Sequence, residues 1–208
     1  MVHATPIVFV VDDDRSVRAS LELLIDSVGW RPETFASAQE FLACPRAAAP
    51  NCLILDITLP DLNGLELQKR VAADRIDMPI IFISGYGDVP MTVQAMKAGA
   101  VEFLTKPLQA DILLAAIEDA IERSCAALGR EELMRALQDR YASLTRRERE
   151  VMAMVASGKL NKQVAGKLAI SEITVKAHRG RLMRKMKADS FADLVRMATT
   201  LRPSMLEA

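Results

Sequence analysis

An apolar run that ends on an aspartate, in residues 52–64, constrains this sequence more than any other stretch. Residues 52–55 are all apolar, Asp56 follows directly, and a turn rich in Pro, Asn and Gly comes next. A continuous apolar run this short predicts a strand buried on both faces, as in a parallel sheet. Asp56 then lies at the carboxyl end of that strand, where open α/β sheets place their ligand chemistry.

Four further strand patterns alternate with helix patterns in the first half of the chain. The strand patterns are residues 6–11, 31–35, 79–84 and 101–105. Between them, apolar residues recur at helical spacing, and Gly29 and Gly99 follow two of the predicted helices. Five βα repeats with short connections predict an α/β, flavodoxin-like domain: a five-stranded parallel sheet of order 2-1-3-4-5 with helices on both faces.

Polar side chains follow the predicted strands at one edge of this sheet. They are Asp12, Asp13, Asp56, Ser84 and Lys106. Each alone has an ordinary explanation as a turn former, a helix cap or a solvated tip. In the predicted strand order, however, the three aspartates converge, and three carboxylates in one pocket cannot all stay ionised without a cation. Oxygen ligands with room for water favour Mg²⁺ over Zn²⁺, and the lysine and serine complete a set suited to in-line phosphoryl transfer.

The zero formal net charge hides an asymmetry between the two halves. Residues 1–122 carry nine Lys or Arg against eighteen Asp or Glu, whereas residues 143–208 carry fourteen against six. This contrast indicates that only the second half meets a polyanion, with chance surface composition as the alternative.

Three cysteines without metal-ligand spacing indicate a reducing compartment. Without a signal sequence or an apolar run of about 18 residues, the protein is expected to be cytoplasmic, with no membrane contact.

Short helices are predicted throughout residues 143–208, where start and stop signals recur at close intervals. These signals are Thr145 with Glu148, Gly158, Asn161 as a cap, Ser171 as a cap, and the break at residues 188–190. Two short helices joined by a tight turn are typical of the helix-turn-helix motif. This half is therefore predicted to be an all-α, four-helix domain.

Basic side chains crowd the third of these helices. The candidate contact residues are Thr174, Lys176, His178, Arg179, Arg181, Arg184 and Lys185. A basic outward face on the second helix of a helix-turn-helix pair suits insertion into the DNA major groove. A merely solvated cationic helix is the alternative, but it would normally interleave acidic residues, and Glu172 alone is acidic here.

The segment between the two halves, residues 123–142, continues a helical apolar pattern that begins at Leu113. One long amphipathic helix is one interpretation. A last helix of the first domain followed by a separate flexible linker is the other, because Gly129 interrupts the pattern at a cost of about 1 kcal/mol relative to Ala. The sequence leaves the two open.

Residues 6–122 resemble the receiver domains of two-component response regulators, and the FixJ-like group most of all. The stretches that carry the resemblance are VDDD at 11–14, DITLPDLNG at 56–64, GYGDVPM at 85–91, MKAGA at 96–100 and FLTKP at 103–107. The resemblance implies that Asp56 accepts phosphate from the phosphohistidine of a partner kinase. It also implies that Asp13, Asp56 and the backbone carbonyl of Thr58 bind Mg²⁺, with Asp12 acting mostly through water.

The same resemblance assigns roles to three more residues. Ser84 would close over the phosphate, Lys106 would pair with it, and the Lys106–Pro107 bond would be cis. Phe103 stands where Tyr is common in the family, so phosphate sensing is expected to pass through burial of the ring rather than a hydroxyl contact. Inward movement of Ser84 and Phe103 would reshape the surface of residues 90–105 and favour receiver pairing or release of the second half.

The second half resembles LuxR-type DNA-binding domains. The matching stretches are LTRREREV at 144–151, NKQVA at 161–165 and SEITVKAH at 171–178. In that family the third helix reads bases and the fourth often dimerises. The resemblance implies base or near-base contacts from Thr174, Lys176, His178 and Arg179, and phosphate contacts from Arg181, Arg184 and Lys185.

Together these features predict a FixJ/NarL-type transcriptional response regulator, with a receiver domain at 1–122, a helical linker at 123–142 and a LuxR-type helix-turn-helix domain at 143–208. Phosphorylation of Asp56 by a sensor histidine kinase is expected to switch homodimerisation and binding to double-stranded promoter DNA, with RNA polymerase as a further candidate partner. No enzyme activity is expected beyond self-catalysed phosphoryl acceptance and dephosphorylation.

Two rival functions stay open at this level. One is a Mg²⁺-dependent phosphatase or phosphotransferase with Asp56 as nucleophile, although no inserted segment offers the cap that such enzymes usually need. The other is a constitutive DNA-binding protein whose aspartates no longer function.

Overall fold

The structure, a computed structural model, describes residues 4–74, 78–85 and 89–205. The chain divides into two compact units, Met1–Gly129 and Arg130–Ala208. Residues 86–88, part of the predicted turn after the fourth strand, lie outside the described residues. The predicted domain limits at 122 and 143 stay predictions.

A five-stranded parallel sheet of order β2-β1-β3-β4-β5 forms the centre of the first unit. The strands are β1 Ile7–Val11, β2 Arg31–Phe35, β3 Asn51–Asp56, β4 Ile80–Ser84 and β5 Glu102–Thr105. The three inner strands are buried along their whole length, as their continuous apolar runs require. The two edge strands are partly exposed. The predicted flavodoxin-like strand order is confirmed.

Helices flank this sheet, and the two glycines predicted to follow helices do so. Their bounds are α1 Arg15–Ser27, α2 Ala38–Ala43, α3 Gly64–Asp74, α4 Val89–Lys97 and α5 Ala110–Ala142. Gly29 and Gly99 follow α1 and α4 with φ of 83° and 94°, a region that glycine enters without strain. At α2, which begins after Ser37, only half of a capping box is formed. Ser37 accepts from the Glu40 amide, but the Glu40 carboxylate accepts from the amide of Ala36 instead.

Successive residues of the inner strands contribute to two separate apolar cores, because side chains alternate across a sheet. Phe9 and Leu55 belong to the core that includes residues of α2, α3 and α4. Val10 and Ile54 belong to the core that includes residues of α1 and α5. Helices therefore cover both faces, and the carboxyl edge of the sheet stays free for polar side chains.

Helix α5 is one helix of 33 residues that passes through Gly129. Its buried residues recur at helical spacing and are Leu113, Ile117, Ala120, Ile121, Ser124 and Ala127. The structure therefore agrees with the first interpretation of residues 123–142, in which they continue one long helix. Neither α5 nor any other helix in the described ranges is both long enough and apolar enough to cross a bilayer.

Four helices pack around one apolar core in the second unit. Apart from the end of α5, they are α6 Arg146–Ala156, α7 Asn161–Leu168, α8 Glu172–Met186 and α9 Phe191–Met205. Thr145 and Glu148 form the complete predicted capping box, and Ser171 caps α8. Ala169, in the left-handed region at φ 52°, ends α7 and begins the tight turn into α8. The predicted all-α helix-turn-helix domain is confirmed.

The prediction that Asn161 caps α7 is wrong. The N-cap is Leu160, whose amide donates to the Gln163 side chain at 2.9 Å, and Asn161 is already the first helical residue. The Asn161 amide oxygen instead accepts from Arg179 on α8 at 2.7 Å. A tertiary partner therefore takes the oxygen that a local cap would have used.

Candidate functional site

Three carboxylates meet at the carboxyl edge of the sheet. Strands β1 and β3 are paired in register, Val11 opposite Leu55, so Asp12 and Asp56 leave the sheet side by side. Asp12, Asp13 and Asp56 each offer a carboxylate oxygen, and these oxygens all lie within 4.8 Å of one another. Asp12 and Asp56 are buried, whereas Asp13 is exposed. The predicted convergence of the three aspartates is thus present.

Lys106 joins two of these carboxylates. Its Nζ donates to Asp12 Oδ2 at 2.7 Å and to Asp56 Oδ2 at 2.6 Å. The lysine follows β5, its backbone amide donates to the Ser84 carbonyl at 2.8 Å, and the Lys106–Pro107 bond is cis, as the resemblance implied. Buried Ser84 ends β4, next to β3, and so stands at the same edge.

The pocket carries more negative charge than its lysine can neutralise. Burial raises the pKa of Asp12, and the bonds from Lys106 only partly oppose that rise. Burial alone would lower the pKa of Lys106, but its bonds to Asp12 and Asp56 raise it, so the ammonium stays charged. One ammonium among three carboxylates leaves a site that favours a further cation.

The donor set fits a hard divalent cation. The pocket offers carboxylate oxygens without nitrogen or sulfur ligands among the described residues, which suits Mg²⁺. The Thr58 amide donates to Asp56 Oδ1 at 2.9 Å, so the loop after β3 is folded back onto this carboxylate. That contact brings the Thr58 backbone to the pocket.

Phe103 belongs to the sheet rather than to the carboxylate pocket. It lies in β5 opposite Phe82 of β4, and the two ring centroids are 6.3 Å apart with an interplanar angle of 32°. The ring is half-buried against the core on the α3 and α4 side. Inward movement of this ring remains a prediction.

Three residues that support the pocket did not stand out in the sequence as site residues. Arg18 donates from Nη1 to the backbone carbonyl of Asp12 at 2.6 Å. The Asp61 carboxylate accepts from two backbone amides of α2. Gly64 lies so close to Asp56 that an added Cβ would meet the Asp56 carbonyl oxygen at 2.7 Å. Arg18 reaches a backbone group six residues earlier, Asp61 reaches amides more than twenty residues earlier, and Gly64 acts through backbone packing. None of these contacts forms a pattern of side-chain types that the sequence would show.

The second unit presents an exposed basic surface on α8. Val175, Leu182 and Met186 form the buried stripe of this helix. The exposed basic residues away from that stripe are Lys176, Arg181 and Arg184. In the described part of the chain, none of these three makes a side-chain hydrogen bond or an ion pair. Thr174, also exposed, shares a 2.8 Å hydrogen bond with the Ser171 hydroxyl.

Two predicted DNA contacts have partners within the second unit. Lys185 donates from Nζ to the Glu148 carboxylate at 2.7 Å and to the Ser143 carbonyl at 3.0 Å. Arg179 donates a hydrogen bond from Nη1 to Asn161 Oδ1. Its guanidinium carbon lies 5.3 Å from the centroid of the Phe191 ring. Both residues lie beside the buried stripe of α8, so their side chains meet the neighbouring helices.

His178 also lies beside the buried stripe. It is half-buried, and its Nδ1 is buried with no hydrogen-bond partner among the residues that the structure describes. The seven predicted contact residues therefore fall into two groups. Thr174, Lys176, Arg181 and Arg184 are exposed, whereas the other three are partly covered.

Both units match known families. Residues 8–118 match the response regulator receiver domain, and residues 142–198 match the bacterial regulatory proteins of the luxR family. Nodulation protein W of Bradyrhizobium diazoefficiens is 48% identical over 195 residues, which cover 94% of this chain and 86% of that protein. The response regulator protein TodT of Pseudomonas putida is 43% identical over 99% of this chain and 90% of its own length.

Solved structures agree with these matches. The response regulator StyR is 44% identical and superposes with a TM-score of 0.84, covering 94% of this chain and 99% of StyR. Full-length FixJ from B. japonicum is 40% identical with a TM-score of 0.54, covering 93% of this chain and 96% of FixJ. The matches cover both the carboxylate pocket and the basic helix. The chain therefore belongs to the FixJ/NarL family of two-component transcriptional response regulators, which join a receiver domain to a LuxR-type DNA-binding domain.

Proposed function

We propose that transfer of a phosphoryl group from a sensor histidine kinase to Asp56 switches the affinity of this regulator for promoter DNA. The observation that carries the proposal is the pair of Lys106 contacts, 2.7 Å to Asp12 and 2.6 Å to Asp56. A fixed ammonium beside a buried carboxylate can neutralise the charge of an incoming phosphoryl group.

The transfer itself needs little covalent chemistry from the protein. An Asp56 carboxylate oxygen forms the new bond to phosphorus while the bond between phosphorus and the donor histidine nitrogen breaks. Lys106 and the Ser84 hydroxyl would each contact a phosphoryl oxygen, which spreads the charge of the transition state. Asp13, Asp56 and the Thr58 carbonyl would hold Mg²⁺, with Asp12 acting mostly through water. The bound ion would supply further charge neutralisation.

The switch would act through α4 and β5. Engagement of Ser84 by the phosphoryl group and burial of Phe103 would alter the surface of α4, which is unusually apolar. Val89, Val93 and Met96, at i, i+4 and i+7 on this helix, are 75%, 43% and 41% exposed. Such a surface suits pairing with a second copy, so we expect the phosphorylated protein to be a homodimer.

The DNA contacts would come from the exposed face of α8 in the major groove. Lys176 and Thr174, near the start of this helix, would face base edges, and Arg181 and Arg184 would bind phosphates. His178 would lie at the rim of this DNA-contacting face of α8. Arg179 and Lys185 would hold α8 against the neighbouring helices rather than reach the DNA. A dimer would bind two half-sites about one helical turn apart.

Several broader features follow from this function. A regulator of promoters works in the cytoplasm, with RNA polymerase as a further candidate partner. The only reaction expected is acceptance and loss of its own phosphoryl group, so the protein is not an enzyme acting on a separate substrate.

The proposal is tested by phosphorylating the protein and measuring DNA binding in the same sample. Incubation with acetyl phosphate and Mg²⁺ should add the mass of a single phosphoryl group to wild type and none to Asp56→Asn. Sedimentation should then report a dimer, and gel shifts on genomic fragments should show tighter binding of phosphorylated wild type. Wild type that stays unmodified, or binds DNA equally with and without the donor, would contradict the proposal.

A second prediction separates cations of α8 that bind DNA from those that hold the fold. Lys185→Met leaves the Glu148 carboxylate, 3% exposed, without its cation. We expect the free energy of unfolding of the helical unit to fall by about 1–3 kcal/mol, towards the lower value because Lys185 is itself 37% exposed.

Arg181→Met removes the same charge from an exposed side chain. It should change stability by less than about 0.5 kcal/mol but weaken DNA binding and flatten its salt dependence. Unfolding followed by far-UV circular dichroism measures the change in stability, and gel shifts measure the change in DNA binding.

The pair between Lys185 and Glu148 also predicts a pH dependence. Burial by itself would raise the pKa of Glu148. The hydrogen bonds from Lys185 and Thr145 lower it by more than burial raises it, so the pKa lies below its ordinary value. Stabilisation from a lowered pKa is present above the unfolded-state value and is lost as pH falls through the folded-state value. The stability difference between wild type and Lys185→Met should therefore shrink as the pH falls below about 4. A difference that persists in strong acid would contradict this account.

A further inference from the structure

We infer that Asp61 is a positioning residue for the cation-binding loop between β3 and α3, which it ties to the first turn of α2. The inference rests on the proposed function, because it concerns the same Mg²⁺ site. Asp61 is exposed and lies five residues beyond Asp56. Its role follows from the hydrogen bonds of its carboxylate.

Both Asp61 carboxylate oxygens accept from the start of α2, more than twenty residues earlier in the chain. Oδ1 accepts from the Ala38 amide at 3.3 Å and Oδ2 from the Gln39 amide at 3.0 Å. These two amides belong to the first turn of the helix, where intrahelical acceptors are lacking. The next amide, of Glu40, is satisfied by the Ser37 hydroxyl. Asp61 and Ser37 therefore share the capping of α2, one from a distant loop and one locally.

Within the described residues, few other hydrogen bonds join this loop to another element, and one of them is from the Ile57 amide to the Ile83 carbonyl of β4 at 3.2 Å. At its base, the Gly64 amide donates to the Ile57 carbonyl at 3.0 Å, and the Thr58 amide donates to Asp56 Oδ1 at 2.9 Å. Leu59 is buried in the core below. Asp61 supplies the hydrogen bonds from the outer part of the loop to another element. Thr58 lies between these attachment points, so the placement of its carbonyl depends on both.

Loss of the Asp61 carboxylate should therefore loosen the loop that carries a proposed metal ligand. Groups that orient metal ligands without touching the metal commonly change metal affinity by roughly 10-fold or more. We expect the dissociation constant for Mg²⁺ to rise by about 10-fold in Asp61→Ala. Saturating Mg²⁺ should restore the rate of phosphoryl acceptance, because Asp56 and Lys106 are unchanged.

Ser37→Ala is the matched control. It removes the other cap of the same helix and should lower the unfolding temperature by roughly 4 °C, an effect comparable to that of Asp61→Ala. Among the described residues, the Ser37 side chain makes no hydrogen bond to the loop, so the Mg²⁺ affinity of Ser37→Ala should equal that of wild type. Calorimetric titration of the full-length proteins with MgCl₂, at low and at high NaCl, measures the affinity directly. The high-salt arm screens any long-range attraction by the Asp61 charge.

Weakened Mg²⁺ binding in Asp61→Ala at both salt concentrations, with Ser37→Ala unchanged, supports the positioning role. A loss that disappears at high salt would mean that Asp61 acts by charge alone and would overturn the inference. Equal weakening in both variants would reduce Asp61 to a helix cap, and unchanged affinity in Asp61→Ala would overturn the inference outright. Wild type that binds no Mg²⁺ would instead contradict the proposed metal site, and the inference with it.

Discussion

Replacement of Lys106 by methionine is expected to slow phosphoryl transfer to Asp56 by roughly 100-fold or more, the typical effect of removing a preorganised group that stabilises transition-state charge. Lys106 is the cation that contacts both Asp12 and Asp56, at 2.7 and 2.6 Å. Methionine keeps much of the side-chain volume, so the loss is chiefly of charge and hydrogen bonds. Rapid-quench measurement with acetyl phosphate at saturating Mg²⁺ gives the rate.

Metal binding distinguishes this effect from general damage to the pocket. Because the ammonium shares Asp12 and Asp56 with any incoming cation, Lys106→Met should bind Mg²⁺ at least as tightly as wild type. Lys69→Met removes the same charge from an exposed pair with Glu66 on α3 and should leave both rate and affinity unchanged. A Lys106→Met protein that accepts phosphate at the wild-type rate would exclude Lys106 from the transfer step.

Gly64→Ala is expected to destabilise the receiver unit by about 3 kcal/mol, at the upper end of the usual cost of overpacking. Its Cβ would lie 2.7 Å from the Asp56 carbonyl oxygen and 2.9 Å from the Ile57 Cα. Both are backbone atoms, so no side chain can rotate away to make room. The backbone beside Asp56 would have to shift, and phosphoryl acceptance should fall with stability.

The chain provides both a probe and a control for this prediction. Trp30, its single tryptophan, packs against a core of the receiver unit, so tryptophan fluorescence reports the unfolding of that unit. Gly129 lies inside α5, and apart from its chain neighbours and its own helix backbone no described atom lies within 4 Å of an added Cβ. Gly129→Ala should therefore stabilise the protein by up to about 1 kcal/mol. Equal effects of the two substitutions would contradict the packing argument.

The receiver fold and the identity of its carboxylates could be predicted because their signals are local and repeated. Continuous apolar runs indicate buried parallel strands, and Asp12 and Asp56 each directly follow such a run. The pairing of β1 with β3 then brings Asp12 and Asp56 together without further information. The cis bond before Pro107 followed from family resemblance rather than from any physical pattern.

The helical unit was predicted less completely at the level of side-chain partners. Periodicity separates the buried stripe of α8 from its basic face, but it cannot say which cations at the border turn inward. Arg179 and Lys185 do so because Asn161 and Glu148, on other helices, offer acceptors within reach. The error at Asn161 has the same origin, since its preferred local role as a cap was overridden by Arg179.

By itself the sequence determined the two-part organisation, the strand order and the set of acidic residues, because hydrophobic periodicity and chain direction leave few alternative arrangements. The tertiary structure alone decided which charges are paired, that Asp61 caps a helix formed more than twenty residues earlier, and that no side chain fits at Gly64. Those outcomes depend on distances between segments remote in the chain, and a linear pattern does not contain them.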